Sequence, residues 1–119
     1  MSQETPTYVK PDTEPTSLSA FKNRACARVY TDNYIQPTPG EVKALIKLCN
    51  WSQTQVAKLT GVTYNPLKGS STVRKWQTTS EKEHRDIPYA VWRLLLIYAG
   101  VVKPENDVIT MISRSTEID

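Results

Sequence analysis

GVTYNPLKGSSTVRKW, residues 61–76, is the stretch on which the fold turns. It follows a segment that reads as a helix, and it closes on Val73 and Trp76, an apolar pair spaced as on the inner face of a second helix. Two registers compete for the residues between. In the short one Leu67 is the buried residue of the second helix, and Pro66 and Gly69 then fall inside it, where Pro costs ~3 kcal/mol and Gly ~1 kcal/mol relative to Ala. In the long one about six more residues enter the connection between the helices than a tight turn needs. Ser70 or Ser71 then caps the second helix, and Val73 and Trp76 become its buried pair. Asn65 before Pro66 initiates a turn, and Gly69 gives a flexible entry to the cap. The energetics select the long register, two helices joined by a stretched turn.

The segment before the turn has the clearest start signal in the chain. In WSQTQVAKLTGV (51–62) Ser52 caps, Gln55 reaches back to it three residues later, and Trp51 and Val56 occupy the positions of a hydrophobic staple. This helix ends at Gly61, which tolerates the positive φ of a sharp turn. Upstream, IQPTPGEVKALIKLCN (35–50) predicts another helix, with Thr38 as cap, Pro39 at the first helical position and an apolar stripe of Val42, Leu45, Ile46 and Cys49.

Downstream, RDIPYAVWRLLLIYAG (85–100) predicts a helix with Asp86 near its start, Pro88 in its first turn and Gly100 closing it. Its expected inner face is Ile87, Val91, Leu94, Leu95 and Tyr98, widened by Tyr89 and Trp92 for the core. The tail (103–119) adds an apolar cluster, Val108, Ile109, Met111 and Ile112, after a plausible cap at Asp107. That cluster either packs back on the domain or meets a partner chain. Residues 1–20, with three prolines among Thr, Ser and Glu, are expected to be disordered. Lys22, Arg24 and Arg28 follow without an opposing acid in FKNRACARVY (21–30), so that stretch is either a basic arm or a surface tether. Strand-like alternation is scarce, the best being RVYTDNYI (28–35). The expected architecture is all-α: a flexible N-terminal arm over 1–36, a helical domain over 37–102 and a tail over 103–119.

With 119 residues, 39% of them hydrophobic, the chain suits one core rather than two. No apolar run reaches the roughly 18 residues of a membrane span, and MSQETPTYVK is no secretory signal, so a soluble, cytoplasmic protein is expected. Cys26 and Cys49 are far apart and His84 is the one histidine, which gives no metal-ligand or disulfide spacing and predicts ordinary reduced thiols. No cofactor is implied. Catalysis through His84 would lack a pocket, since no apolar residue lies between Gln77 and Asp86. A phosphate-binding loop at 61–71 fails because Lys68 precedes Gly69 instead of following it. Charge is uneven: residues 41–103 hold ten Lys or Arg against four acids, residues 1–40 four against four, and residues 104–119 one against four. The central segment alone carries the excess, a modest footprint for a polyanion.

WSQTQVAKLTGV followed by STVRKW resembles the lambda-repressor-like (Cro/XRE) helix-turn-helix regulators of phage and plasmid type. PTPGEVKALIKL and IPYAVWRLLLIYAG are similar to the family's flanking helices, so the resemblance covers about residues 37–102. The insertion before the second helix departs from the usual pattern. The resemblance implies a compact bundle of four to five helices that binds an operator in double-stranded DNA, usually as a homodimer, with the second helix of the motif in the major groove.

On that helix Val73 and Trp76 point inward, which leaves Ser70, Ser71, Thr72, Arg74 and Lys75 for DNA. Arg74 suits bidentate contact with guanine, the hydroxyls of Ser71 and Thr72 suit bases or phosphates, and Lys75 could reach either. Gln53, at a position where the family commonly contacts phosphate, and Thr54 lie at the start of the preceding helix, whose amides can hold a phosphate. Lys68 in the inserted turn and Arg85 are further phosphate candidates. The leading expectation is a sequence-specific regulator, a repressor by family habit although an activator would present the same motif. An antitoxin that also masks a toxin partner is a close variant. RNA binding is the alternative, with the aromatics falling mainly at core spacing rather than exposed for stacking.

Overall fold

A computed structural model describes residues 13–118, and among them six α-helices and no strand. In chain order they are α1 (Leu18–Phe21), α2 (Pro39–Leu48), α3 (Gln53–Thr60), α4 (Ser71–Gln77), α5 (Tyr89–Tyr98) and α6 (Pro104–Ile118), with a 3-10 turn at Ala25–Ala27. The all-α expectation holds, and RVYTDNYI forms turns rather than a strand.

Local sequence sets the helix starts. At α2 the Thr38 hydroxyl accepts from the Glu41 amide at 3.1 Å while Glu41 Oε1 accepts from the Thr38 amide at 2.9 Å, with Pro39 at the first position. At α3 the same reciprocal box joins Ser52 and Gln55, at 3.1 and 2.8 Å. Each box satisfies two amide donors that a helix start otherwise leaves unpaired. Gly61 ends α3 at φ 80, its amide on the Ala57 carbonyl at 2.7 Å. Ser70 caps α4, accepting from the Val73 amide at 3.2 Å, and Val73 and Trp76 are buried, as the long register requires. α2 and α3 both pack against α4, and α3 also packs against α5.

Around α5 the buried face overlaps the expected one in Ile87, Trp92 and Leu95, but gains Leu96 and loses Tyr98. Trp92, Leu95 and Leu96 are fully buried, Val91 and Leu94 are half-buried, and Tyr98 is exposed. Pro88 is the cap residue itself, while Asp86 pairs with His84. The N-terminal segment packs against this helix. Phe21, Ala25 and Cys26 are buried in the core, with the Phe21 and Trp92 rings 6.2 Å apart. Trp92 Nε1 donates to the Cys26 carbonyl at 2.8 Å, and Arg93 Nη1 to the Ala27 carbonyl at 2.6 Å.

Residues 1–12, where most of the expected disorder falls, lie outside the described residues. From Leu18 onward the chain differs from the flexible arm expected over 1–36, because an apolar Phe21, Ala25 and Cys26 give it something to bury. Arg24 is neither arm nor tether: it is buried against Glu41 with Nη1 and Oε2 3.1 Å apart, and it also donates to the Thr13 carbonyl. In the tail, Asp107 lies in the first turn of α6 rather than capping it, and takes Arg93 in a bidentate pair at 2.8 and 2.6 Å. Val108, Ile109 and Ile112 are exposed, and the side chain of Met111 lies outside the described set.

Replacing Trp76 with Ala opens a cavity beneath α4 and is expected to cost ~3–5 kcal/mol in chemical denaturation. Arg24→Ala leaves Glu41 buried without its cation, a loss of about 3–5 kcal/mol by the same measurement.

Candidate nucleic-acid interface

The stretched turn is a closed loop. Asn65 and Gly69 exchange backbone hydrogen bonds, at 2.7 Å from the Asn65 amide and 2.9 Å from the Gly69 amide. Asn65 Oδ1 accepts from the amides of Leu67 and Lys68 at 2.9 and 3.0 Å, the self-capping geometry that makes Asn a turn former. Pro66 and Gly69, which would disrupt a helix, are thereby accommodated outside it, and α4 starts cleanly at its cap.

Ser70 joins this loop to both helices. Its hydroxyl, on a residue only 1% exposed, donates to the Thr63 carbonyl at 2.7 Å as well as capping α4. Its amide donates to Gln53 Oε1 at 3.1 Å, so the first residue of α3 is tied to the start of α4. Ser70, expected among the contacting residues, is therefore committed to the fold: its one donor hydrogen is spent on the Thr63 carbonyl, and the hydroxyl is buried away from any ligand. Gly69, at φ +90, sits against the same glutamine, and a Cβ there would lie 2.5 Å from Gln53 Oε1.

Two adjoining cavities open on this junction and share Gln53 and Arg74. One, of about 430 Å³, is lined by the loop residues Tyr64, Asn65 and Lys68 together with Ser71. The other, of about 360 Å³, adds Lys43 of α2 and Gln77 and Thr78 at the end of α4. Their linings contain three cations, Lys43, Lys68 and Arg74, and no carboxylate. The fold thus brings together Gln53, Lys68, Ser71 and Arg74 of the expected residues. Thr54, Thr72, Lys75 and Arg85 do not line these cavities. Thr54, Thr72 and Lys75 are half-buried, whereas Arg85 is exposed and its Nη1 donates to the His84 carbonyl at 2.9 Å. Lys43 was not expected; its exposure on the polar face of α2 is readable, but its approach to α4 is not.

At the edge of the groove Arg74 Nη1 meets Glu83 Oε1 at 2.7 Å, with both side chains about half exposed. The hydrogen bond from Arg74, then its charge, then the charge of Lys75 hold the Glu83 carboxyl below its usual range. Such solvent-screened surface pairs contribute little, so Arg74 can exchange Glu83 for another anion at small cost. His84 has one ring nitrogen 3.1 Å from the Lys75 carbonyl and the other 2.9 Å from Asp86. Among the described residues no cluster of His, Cys, Asp and Glu could hold a metal ion, and no helix is long and apolar enough to cross a membrane.

Two curated proteins from Escherichia coli, both named transcriptional repressor protein KorC, are similar to this chain. One is 33% identical over 70 residues and the other 36% identical over 70 residues; each alignment spans 59% of this chain and 74% of the relative. No protein-family model matches the chain, and no solved structure matches it significantly. The chain belongs to the family of the transcriptional repressor KorC.

Gly69→Ala forces a Cβ onto a left-handed residue and against the Gln53 carbonyl that holds the Ser70 amide. A loss of about 1–3 kcal/mol is expected in thermal or chemical denaturation, with Gly61→Ala, where no atom crowds the added Cβ, losing less.

Proposed function

We propose that the protein is a transcriptional repressor that binds a specific operator in double-stranded DNA, using α3 and α4 as a lambda-repressor-like helix-turn-helix with an extended turn. The observation that carries this reading is the groove at the start of α4, where Arg74 and Ser71 stand beside Gln53 among cations and without a lining carboxylate, in a chain of the KorC family. α4 enters the major groove, and Arg74 leaves Glu83 to take O6 and N7 of a guanine. Ser71 and Thr72 supply hydroxyls to neighbouring bases or phosphates, and Lys75 reaches base or backbone. Gln53 and Thr54 at the start of α3, with Lys43, Lys68 and Arg85, hold phosphates and set the register of the helix on the duplex.

Residues 37–102 form the DNA-binding unit, with residues 18–36 packed on it, and the protein acts in the cytoplasm. Repression follows from occlusion of its own or a neighbouring promoter, and involves no catalysis or cofactor. Two copies bind half-sites about one helical turn apart. The exposed Val108, Ile109 and Ile112 of α6 support a contact with a second copy. The same three residues favour a second reading, an antitoxin whose tail covers a toxin. Copurification of a second small protein with the chain would select that reading over the simple repressor.

The test is binding to duplex DNA from the gene's own upstream region and to a scrambled duplex, by fluorescence anisotropy at two salt concentrations. A preference for the native duplex that persists at higher salt, where phosphate contacts weaken steeply, is the expected result. Equal and salt-sensitive binding to both would refute specificity at that site. Arg74→Ala is expected to cost ~1–3 kcal/mol and to relax preference at one or two base pairs. Glu83→Gln, which frees Arg74, is expected to bind up to about fivefold more tightly.

A further inference from the structure

Leu67 is 96% exposed at the tip of the inserted loop. Exposure by itself carries nothing, since single apolar residues on a surface are common. Its mounting is what matters. The two hydrogen bonds between Asn65 and Gly69 close the loop, the Asn65 side chain holds the amides of Leu67 and Lys68, and Pro66 fixes its own φ. The tip is thus presented in one conformation, and little entropy is lost when it meets a ligand. The residues that flank it, Asn65 and Lys68, line the groove shared with Ser71 and Arg74, so Leu67 stands on the rim of the surface assigned to DNA.

We infer that Leu67 is a base-reading residue, whose side chain packs on the 5-methyl group of a thymine beside the base pairs read by α4. This inference rests on the DNA-binding role proposed above. Thymine presents the one apolar group on the major-groove edge of a base pair, and an apolar side chain is its natural complement. Lys68, the next residue, holds the adjacent phosphate, so a single turn supplies one contact that positions and one that specifies. The insertion is then a second reading element added to the motif.

Wild type and Leu67→Ala are each used to select preferred duplexes from a randomised pool. Wild type is expected to select a motif containing a thymine whose preference disappears in Leu67→Ala, while the preference assigned to Arg74 remains. Replacing that thymidine with deoxyuridine removes the methyl group alone. It should weaken wild-type binding about fourfold, the worth of one buried methyl-sized group, and leave Leu67→Ala unchanged. Leu67→Met should keep the thymine preference, and the thermal midpoint of Leu67→Ala should match wild type. An unaltered motif and affinity in Leu67→Ala would overturn the inference while leaving the repressor reading intact, and so would an equal loss on all sequences. Failure of wild type to select any motif would remove sequence-specific DNA binding itself, and the inference with it.

Discussion

Ser70 is the residue on which the working part of the molecule depends. Its buried hydroxyl is shared between the Thr63 carbonyl and the Val73 amide, and its own amide is taken by Gln53. These three bonds determine where α4 begins. A start one residue earlier or later would turn Val73 and Trp76 away from the core and carry Ser71 and Arg74 out of the groove, because side chains on a helix are spaced by about 100° of rotation per residue. The core and the candidate interface are therefore set by the same cap. A buried polar residue is a costly choice, and it is tolerated here because its hydroxyl both donates and accepts a hydrogen bond and its amide is taken by Gln53.

A second clamp, on α5, has a similar logic. Consecutive side chains on α5, Trp92 and Arg93, take consecutive carbonyls of the 3-10 turn, and Arg93 also holds Asp107 of α6. Arg24 performs the corresponding task between the N-terminal segment and Glu41 of the α2 capping box. Both arginines are nearly buried and both use carbonyl oxygens as well as a carboxylate, which suits the planar, multidentate guanidinium better than an ammonium group. Two groups of basic residues therefore have different roles. Arg24 and Arg93 hold the segments at either end against the helices, while Lys43, Lys68 and Arg74 line the groove.

That division changes how the charge distribution is understood. The excess of cations over residues 41–103 suggests a polyanion partner, yet Arg93 contributes to the excess and is consumed internally. What favours an anion is that the linings of the two cavities hold three cations and no carboxylate, while Glu83, on Arg74 at 2.7 Å, is a surface counterion that another anion can replace. An arginine already ordered by a weak surface pair can trade one anion for another without first being immobilised, which limits the entropic cost of the new contact.

The helix starts at Thr38 and Ser52 were legible in the sequence, and that of α4 to within Ser70 or Ser71, because a cap is a contact among residues three apart and needs nothing from the rest of the chain. The stretched turn was legible for the same reason, since Pro66 and Gly69 make the short register expensive wherever the segment is placed. Ser70, Ser71, Thr72, Arg74 and Lys75 followed as DNA-contact candidates once the register was set, Gln53 and Thr54 came from the start of the preceding helix, and Lys68 and Arg85 were added as phosphate candidates; of these nine, the fold lines the groove with Gln53, Lys68, Ser70, Ser71 and Arg74. Around α5 the burial of Ile87, Trp92 and Leu95 was legible, but not that of Leu96 nor the exposure of Tyr98, because a helix rich in apolar residues has more than one plausible inner face, and the segment of Phe21 and Cys26 that packs on it lies about 70 residues away. The role of Ser70 as a buried junction, the burial of Arg24 and the approach of Lys43 to α4 were likewise decided by tertiary structure. Each depends on which distant backbone oxygen or side chain arrives nearby, and that is information no local spacing contains.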